Sequence, residues 1–371
     1  MNKEQNENLE VKTDNEIFKC PGCGSNMFYD PDHETLSCDY CGSQIAIDGQ
    51  TNVNELDLFT ASDDDNSWEA ETKVVHCDNC GANTVVDIND IARVCPFCGS
   101  PSVGSSDERA GMKPTSVVPF KVSRDEALNK YTSWIKRKTY VPKTVKNELP
   151  NPIFNGIYLP TWTYDANTIS SYKGRFGEHY VTTVGSGKNR RTVTRTRYYY
   201  VNGTISRTYD DILISGSTRL EQKRLDKISP FNTNVSKEYD KRYLAGFSAE
   251  HYTINVRSGW DTAKKRIEED IRSSIIRKYR PDVVSYLHIK THYENITYKY
   301  VLVPLWLCTY KYNNKEYGFM VNGENGKITG KYPISIPKVL LTIAIFIIII
   351  VVALIIYGLI SENNQMYQLL K

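Results

Sequence analysis

One cysteine spacing occurs twice in this chain, and this repeat constrains the fold more than any other feature of the 371 residues. Each copy reads C-x2-C-x14-C-x2-C, and a glycine follows the second cysteine of every pair. Four thiolates in two close pairs can surround a tetrahedral Zn²⁺, while the glycine lets the backbone turn tightly so that its amides face the sulfurs. We therefore predict two structural zinc ions. The predicted ligands are Cys20, Cys23, Cys38 and Cys41 in the first copy and Cys77, Cys80, Cys95 and Cys98 in the second.

The alternative interpretation of these cysteines is a disulfide framework, which requires an oxidising compartment. The segment from Met1 to Glu10 is charged and has no apolar signal core, so the sequence favours zinc. In each predicted site the protein fills all four coordination positions. Such closed sites are structural rather than catalytic.

The C-terminal region contains an uncharged run of 22 residues, Val339 to Ile360. At 1.5 Å per residue such a helix crosses a hydrocarbon core of ~30 Å. Lys327, Lys331 and Lys338 precede the run, whereas the tail after it has one Glu and one Lys. The positive-inside rule then predicts a single-pass protein of the cell membrane with its N-terminal bulk in the cytoplasm.

Charge is distributed unevenly along the chain. Residues 1–110 hold 6 basic and 22 acidic residues, a net charge of −16, whereas residues 111–371 hold 40 and 21, a net charge of +19. Affinity for nucleic acid comes mainly from Lys and Arg, so the acidic ribbons are poor candidates for it. We expect them to contact a cytosolic protein, and we expect the basic region to contact anionic lipid. The alternative is a solvated basic surface with no specific partner.

The predicted fold is multi-domain, with two small β-rich zinc ribbons of four cysteines each, an α+β domain with an antiparallel sheet, and one C-terminal transmembrane helix. The predicted boundaries are a disordered tail at 1–17, ribbon 1 at 18–48, an acidic linker at 49–73, ribbon 2 at 74–101, a linker at 102–114, the α+β domain at 115–335, the membrane helix at 339–360 and a short external tail at 361–371.

Two amphipathic helices are predicted in the α+β domain. Ser123 followed by Glu126 has the pattern of a capping box that opens the first helix. The second helix is expected from Asp261 to Tyr279, with an apolar stripe. The predicted stripe consists of Ala263, Ile267, Ile271 and Ile275.

A strand-rich block is expected from Gly156 to Ser215, and tight turns are expected at Asn313-Asn314 and from Asn322 to Gly326. Within the block Arg191, Arg195 and Arg197 alternate with threonines, so a strand would place all three on one face. This face, with the nearby Tyr198 to Tyr200, is a candidate surface for an anionic partner, including single-stranded nucleic acid.

Two segments resemble each other within the domain. Tyr158-Leu159-Pro160-Thr161-Trp162 matches Leu302-Val303-Pro304-Leu305-Trp306. We interpret them as equivalent strands in two halves of the domain, with both tryptophans in the core. A shared aromatic ligand pocket is the alternative.

Motifs of known catalytic chemistry are missing from the sequence. The glycine-rich segment from Gly185 to Asn189 has Thr182 in place of the first phosphate-loop glycine and Asn189 in place of the Ser or Thr that holds Mg²⁺, so we predict a hairpin loop. The six histidines lack metalloprotease spacing, and no serine has a nucleophile-elbow pattern around it. We predict that the protein is not an enzyme. An unrecognised pocket beside Trp162 and Trp306 is the alternative.

The order of these features resembles a family of bacterial membrane proteins described as TFIIB-type zinc-ribbon-containing, some of which are labelled primosomal helicase or phage replication proteins. The resemblance is carried by the twin CxxCG ribbons, Val118-Pro119-Phe120-Lys121, the Tyr158-x-Pro160-x-Trp162 and Pro304-x-Trp306 strands, and the terminal membrane helix. The chain lacks the ATPase motif that a helicase label requires. The resemblance implies a membrane anchor for proteins of the SPFH (stomatin/flotillin-like) class and for phage-shock-type envelope stress proteins.

The leading hypothesis from the sequence is therefore a non-enzymatic, membrane-anchored adaptor whose ribbons recruit cytosolic proteins. The alternative is a membrane-tethered, replication-associated nucleic-acid binder that uses the basic domain.

Overall fold

The structure is a computed structural model that describes residues 18–51, 53–62, 67–68, 72–87, 95–97, 100, 103–105, 111–147 and 153–369. The predicted N-terminal tail, residues 102 and 106–110 of the predicted linker, and Cys98 lie outside the described residues.

The first ribbon is a four-stranded antiparallel sheet whose strands are adjacent in chain order. Alternation along its second strand buries Met27 and Tyr29, which are 1% and 3% exposed. The Tyr29 hydroxyl donates to the Phe120 carbonyl (3.1 Å) and the Tyr29 amide donates to the Ala245 carbonyl (3.0 Å). The ribbon is therefore packed against the large domain. Its strands are β1 (Phe18–Lys19), β2 (Asn26–Asp30), β3 (Thr35–Ser37) and β4 (Gln44–Ala46).

The other described strands form one twelve-stranded sheet with the central order β12-β9-β14-β10-β13-β7-β6-β8. In addition β11 pairs with β10, β5 and β15 pair with β14, and β16 pairs with β15. These strands are β5 (Leu56–Asp57), β6 (Thr72–Cys77), β7 (Asn83–Asp87), β8 (Val103–Ser105), β9 (Ser116–Val117), β10 (Ile153–Val184), β11 (Arg191–Ser215), β12 (Lys237–Glu238), β13 (Ser248–Glu250), β14 (Val283–Tyr312), β15 (Lys315–Asn322) and β16 (Ile328–Gly330).

The second ribbon and the acidic linker are continuous with this sheet. In the ribbon, β7 pairs with β13 through Val85 and Ala249, and in the linker β5 pairs with β14 through Asp57 and Thr297. Both pairings satisfy backbone groups at strand edges of the domain. The predicted linker thus contributes a strand, and the predicted second ribbon extends the domain's own sheet.

The sheet is mixed rather than wholly antiparallel as predicted. The strand β9 runs parallel to β14, and β13 runs parallel to β10. The strands of each parallel pair are far apart in the chain, which provides the long connection that parallel pairing requires.

Five helices complete the described fold. Helix α1 begins where predicted, but the Ser123 side chain makes no capping hydrogen bond, so that part of the capping-box prediction is wrong. Helix α4 begins five residues before its predicted start, and Asn255 caps it by accepting from the Ser258 amide (2.8 Å). The predicted α4 stripe of Ala263, Ile267, Ile271 and Ile275 is buried. The helices are α1 (Arg124–Lys136), α2 (Lys143–Asn147), α3 (Gln222–Ile228), α4 (Val256–Tyr279) and α5 (Ile336–Leu369).

The two segments that resemble each other in sequence occupy equivalent positions. They pair antiparallel, with Tyr158 opposite Pro304 and Trp162 opposite Tyr300. The Trp162 indole donates to the carbonyl of Ile254, the residue before the α4 cap (2.8 Å). The Trp306 indole donates to the carbonyl of Val122, the residue before the α1 cap (2.8 Å). Each half therefore uses a tryptophan to hold the start of a helix.

Three strands extend together as a long arm. The hairpin of β10 and β11 pairs from Thr161–Ser215 to Val184–Arg191 with one register shift between Tyr164 and Ala166, and β14 follows the other edge of β10. The glycine-rich segment forms the loop at the hairpin tip, as predicted. The predicted turn at Asn313-Asn314 joins β14 to β15, with both residues at positive φ (49° and 58°).

Helix α5 is apolar and long enough to cross a membrane, with a candidate span at Ile336–Tyr357 of 22 residues and a mean hydropathy of 3.7. It begins three residues before the predicted start. Its base is hydrogen-bonded to the domain, since the Lys338 ammonium donates to the Val141 carbonyl (2.6 Å) and the Ser335 amide donates to the Tyr140 carbonyl (2.7 Å).

We expect Trp162→Phe and Trp306→Phe to destabilise the protein by similar amounts, about 1–3 kcal/mol each. Each change removes one indole donor and leaves a buried carbonyl without that partner. Thermal unfolding of the full chain in detergent, followed by circular dichroism, measures the effect. Tyr286→Phe on the exposed arm is the control and should change stability by less than about 0.5 kcal/mol. A large effect from only one tryptophan would contradict the equivalence of the two halves.

Candidate metal centres

The first cysteine group brings four sulfur atoms together at the end of ribbon 1. Cys20 and Cys41 have their Sγ atoms 3.5 Å apart, Cys23 and Cys38 also lie 3.5 Å apart, and all four sulfurs lie within 4.8 Å of one another. A tetrahedral ion with metal–sulfur bonds of ~2.3 Å would separate its sulfurs by roughly 3.8 Å. The four ligands are therefore positioned to bind one metal ion.

The tight turn predicted at the glycines is confirmed at the three described positions. Gly24, Gly42 and Gly81 have φ of 73°, 74° and 69°, in the left-handed region that side chains disfavour. Their amides donate to the carbonyls of Cys20, Cys38 and Cys77 at 2.7–2.8 Å. This tight turn places the second cysteine of each pair beside the first.

Two serines support the first group and were not predicted. The Ser25 side chain hydrogen-bonds Cys23 and lowers the pKa of that thiol, and Ser43 does the same for Cys41 at an Oγ–Sγ distance of 3.1 Å. Both serines favour the thiolate form that binds metal. The sequence signal was the repeated Cys-Gly-Ser in both halves of this ribbon.

The second cysteine group lies where ribbon 2 meets the domain. Cys77, Cys80 and Cys95 have their sulfurs within 4.8 Å of one another, and the Sγ atoms of Cys80 and Cys95 are 3.6 Å apart. The fourth predicted ligand, Cys98, is outside the described residues. The three described sulfurs are positioned to share one metal ion.

Arg219 connects this group to the large domain. Its Nη1 donates to the Cys80 carbonyl (2.8 Å), and both Nη atoms approach the Cys80 sulfur at 3.7–3.8 Å. Its guanidinium lies over the Phe97 ring (4.6 Å), and its Nε is 3.6 Å from the Glu250 carboxylate. A divalent ion held by four thiolates carries a net charge of about −2, which this cation partly neutralises.

Glu250 is 2% exposed and receives a hydrogen bond from the Ser217 hydroxyl (2.7 Å). Burial raises the pKa of this carboxyl to about 7, although Ser217 and Arg219 both act to lower it. Sequence reasoning did not find Arg219 or Glu250, because each lies more than a hundred residues from the cysteines.

A third group with metal-binding side chains consists of Glu55, Asp165 and Asp211. The buried ammonium of Lys299 lies 2.9 Å from Asp211 and 3.3 Å from Glu55. This lysine supplies the positive charge that a metal would otherwise supply. Burial, with the neighbouring Glu55, raises the pKa of Asp165 to about 7. We interpret the group as a partly exposed ion-pair network around the buried Lys299 that holds the acidic linker on β14.

The predicted arginine surface is present, but its tyrosines are divided between two faces. Arg191, Arg195 and Arg197 lie on the α4 side of the arm, where Arg197 also pairs with Glu178 (3.4 Å). Because side chains alternate along a strand, only Tyr199 shares that side. Tyr198 and Tyr200 lie on the opposite face, beside Arg175 at 4.4 and 6.0 Å.

That opposite face of the arm is open and basic. Its cross-strand rows are Tyr286–Arg175–Tyr200, His288–Lys173–Asn202, Lys290–Ser171–Thr204 and His292–Ile169–Ser206. These four rows contain three basic side chains, two histidines and no carboxylate.

The two core tryptophans are surrounded by aromatic rings. Rings within about 6 Å of Trp162 belong to Tyr252, Tyr298 and Tyr300, and Trp306 packs against Phe120, Phe154 and Phe247. The prediction of core positions is confirmed. The ninth cysteine, Cys308, is buried as expected, and burial raises its pKa to about 12.

We expect the purified full chain to carry two equivalents of metal, and Cys38→Ser to carry one, because a three-sulfur site loses most of its affinity. Elemental analysis of detergent-purified protein gives the stoichiometry. Cys308→Ser is the control and should retain two equivalents. Loss of both ions in Cys38→Ser would contradict independent sites.

Arg219→Ala should release the second metal faster. In a Cys38→Ser background, where only that site remains, we expect release to a chromophoric chelator to accelerate about tenfold. Arg266→Ala, which removes a surface pair with Asp226, is the matched control. Equal release rates in the two variants would show that Arg219 does not stabilise the site.

Comparison with known proteins gives one informative relationship. The chain is 29% identical over 325 residues to the uncharacterized protein YdjG of Bacillus subtilis (strain 168). The aligned region covers 87% of this chain and 91% of that protein. No family model and no solved structure matches the chain. The similarity extends over most of both chains, so it is not confined to the two small ribbons.

Proposed function

We propose that this protein is a non-enzymatic, membrane-anchored adaptor with two structural zinc ions, whose ribbons recruit cytosolic proteins to the inner face of the membrane. The observation that carries the proposal is the direct attachment of both cysteine groups to a domain that ends in a single apolar helix.

The metal chemistry supports a structural role. Cys20, Cys23, Cys38 and Cys41 together occupy all the positions of a tetrahedral ion, which leaves none for a substrate or water. A tetrahedral site whose ligands are all sulfur atoms suits zinc. A closed site stabilises a small surface, and a small rigid surface suits recognition by another protein.

The membrane side of the proposal depends on α5. Its apolar span, the three preceding lysines Lys327, Lys331 and Lys338, and the positive-inside rule together support a cytosolic domain. The hydrogen bonds from Ser335 and Lys338 to the Tyr140–Val141 segment leave no free linker, so the domain would be held at the membrane surface.

The partner would contact the exposed tip of ribbon 1. Tyr40 lies between Cys38 and Cys41 and is 82% exposed, which is unusual for an aromatic side chain without a role in binding. Asp39, the residue before it, is also exposed. An exposed aromatic residue beside an acidic one fits a basic protein surface with an apolar pocket. Resemblance at the sequence level suggests SPFH-class or phage-shock-type proteins as partners.

The decisive experiment is purification of the full chain in mild detergent from nuclease-treated membranes, with quantitative mass spectrometry of SPFH-class and phage-shock-type proteins. We expect Tyr40→Ser to lower their recovery about tenfold, the effect of removing one interface hot spot. Cys77→Ser with Cys80→Ser tests the second ribbon in the same way.

Tyr180→Ser, which removes an exposed tyrosine from the arm, is the control and should leave recovery unchanged. The proposal is wrong if recovery is the same in Tyr40→Ser, in the double cysteine variant and in the control while all remain in the membrane.

A second candidate function, binding of single-stranded nucleic acid, is favoured by the open face of the arm. Sheets that carry exposed aromatics beside basic residues can stack bases and hold the backbone. Tyr198, Tyr200 and Tyr286 with Arg175 and Lys173 provide such a set. Binding of an oligonucleotide that falls steeply with salt would support this function, and no binding at low salt would exclude it.

A further inference from the structure

A cleft lies on the face of the large sheet opposite α1 and α4. It has a cavity volume of about 270 Å³ and opens between ribbon 2, α3 and strands β10, β14 and β15. Its apolar floor consists of Ile157, Leu159, Leu305, Leu307 and Met320, and Phe97 of the ribbon forms one wall. The proposed function does not use this cleft.

The charges around the cleft are not balanced. Glu250 faces Arg219, and Glu316 faces Lys311 on the neighbouring strand (3.8 Å). Arg224, which is half-buried, and Lys331, which is exposed, also line the cleft, and neither has an ion pair in the part of the chain that the structure describes. The cleft therefore presents two uncompensated cations above an apolar floor.

The cleft includes a residue close in the chain to the apolar helix. Lys331, which lines the cleft, is five residues before Ile336, where α5 begins. Five residues span at most about 18 Å, so Lys331 lies within that distance of the base of α5.

The size of the cleft restricts its occupant. Its volume is below the ~300–1,000 Å³ range of pockets for drug-sized ligands, so it does not suit a nucleotide or a folded cofactor. An apolar floor in a cleft of this volume matches one hydrocarbon chain, whose buried methylenes each add to the affinity. The two free cations match an anionic headgroup at the mouth.

We propose that this cleft binds one acyl chain of an anionic amphiphile, with Arg224 and Lys331 contacting the headgroup. The ligand chemistry is shared by an inner-leaflet phospholipid and a free fatty acid. The proposal depends on α5 being in the membrane but not on recruitment of a protein partner, so each can fail without the other.

The test uses the full chain in nanodiscs with ligands that carry a photoactivatable diazirine on the acyl chain. One preparation contains a labelled anionic phospholipid, a second contains its zwitterionic counterpart, and a third adds the labelled free fatty acid to neutral nanodiscs. Peptide mass spectrometry locates the crosslinks. We expect labelling of the peptides that contain Leu305–Thr309 and Gly318–Met320, with α5 labelled as the internal reference.

Leu307→Trp fills the cleft and should reduce its labelling about tenfold relative to the labelling of α5. Ile169→Trp on the exposed arm is the control and should not reduce labelling of the cleft. Arg224→Gln should lower the preference for anionic over zwitterionic lipid about fivefold, the factor expected for one cation near a charged surface.

Cleft labelling by the phospholipid identifies the membrane as the source, and labelling by the fatty acid alone identifies a soluble source; both support the proposal. Absence of cleft labelling in all preparations, or equal labelling in Leu307→Trp, would overturn it. Equal labelling by anionic and zwitterionic lipid would overturn the assignment of Arg224 and Lys331 to the headgroup.

Discussion

The antiparallel pairing of β10 with β14 is the interaction on which the rest of the structure depends. It runs from Ile153 opposite Thr309 at one end to Gly177 opposite Val283 at the other. With a rise of ~3.3–3.4 Å per residue, the 30 residues of β14 have a contour length of about 100 Å. One end of this ladder lies near the base of α5, and the other end lies in the arm. The same strands therefore place the membrane anchor and the open basic face far apart.

The two halves of the domain exchange strands across this ladder. The strand β9 precedes α1 but pairs with β14, and β13 precedes α4 but pairs with β10. Trp162 and Trp306 each hold the start of the helix that follows the exchanged strand. Neither half can therefore satisfy its backbone groups alone, and the domain must fold as one unit.

The second cysteine group is connected to this unit by both backbone and charge. The strand β7 of the ribbon pairs with β13, and residue Glu250 at the end of β13 also faces Arg219, whose guanidinium contacts Cys80. A metal ion at this site would stabilise the sheet edge, and the sheet would stabilise the site. Ribbon 1 forms a separate sheet and contacts the domain through Tyr29 and through the ion pair of Glu34 with Lys121 (3.7 Å). Its Tyr40 is exposed and available for contacts outside the chain.

Local patterns in the sequence were sufficient for much of this fold. The cysteine spacing, the glycine turns, the apolar helix, the stripe of α4 and the Asn313-Asn314 turn depend on residues close together in the chain, where spacing and backbone preference decide the outcome. Strand alternation also places Tyr198 and Tyr200 on the face opposite the arginines. The hypothesis from the sequence was therefore wrong to put these two tyrosines on the arginine face.

Only the tertiary structure decided how distant segments meet. The acidic linker adds β5 to β14, the second ribbon extends the domain's sheet, Arg219 reaches Cys80, and Leu307 and Arg224 line one cleft. Unpaired strand edges and buried charges require partners, but many segments of one chain can provide them, so local sequence does not specify which one does. The sequence by itself determined the local elements and the metal-binding residue types, and long-range packing decided which of them share a site.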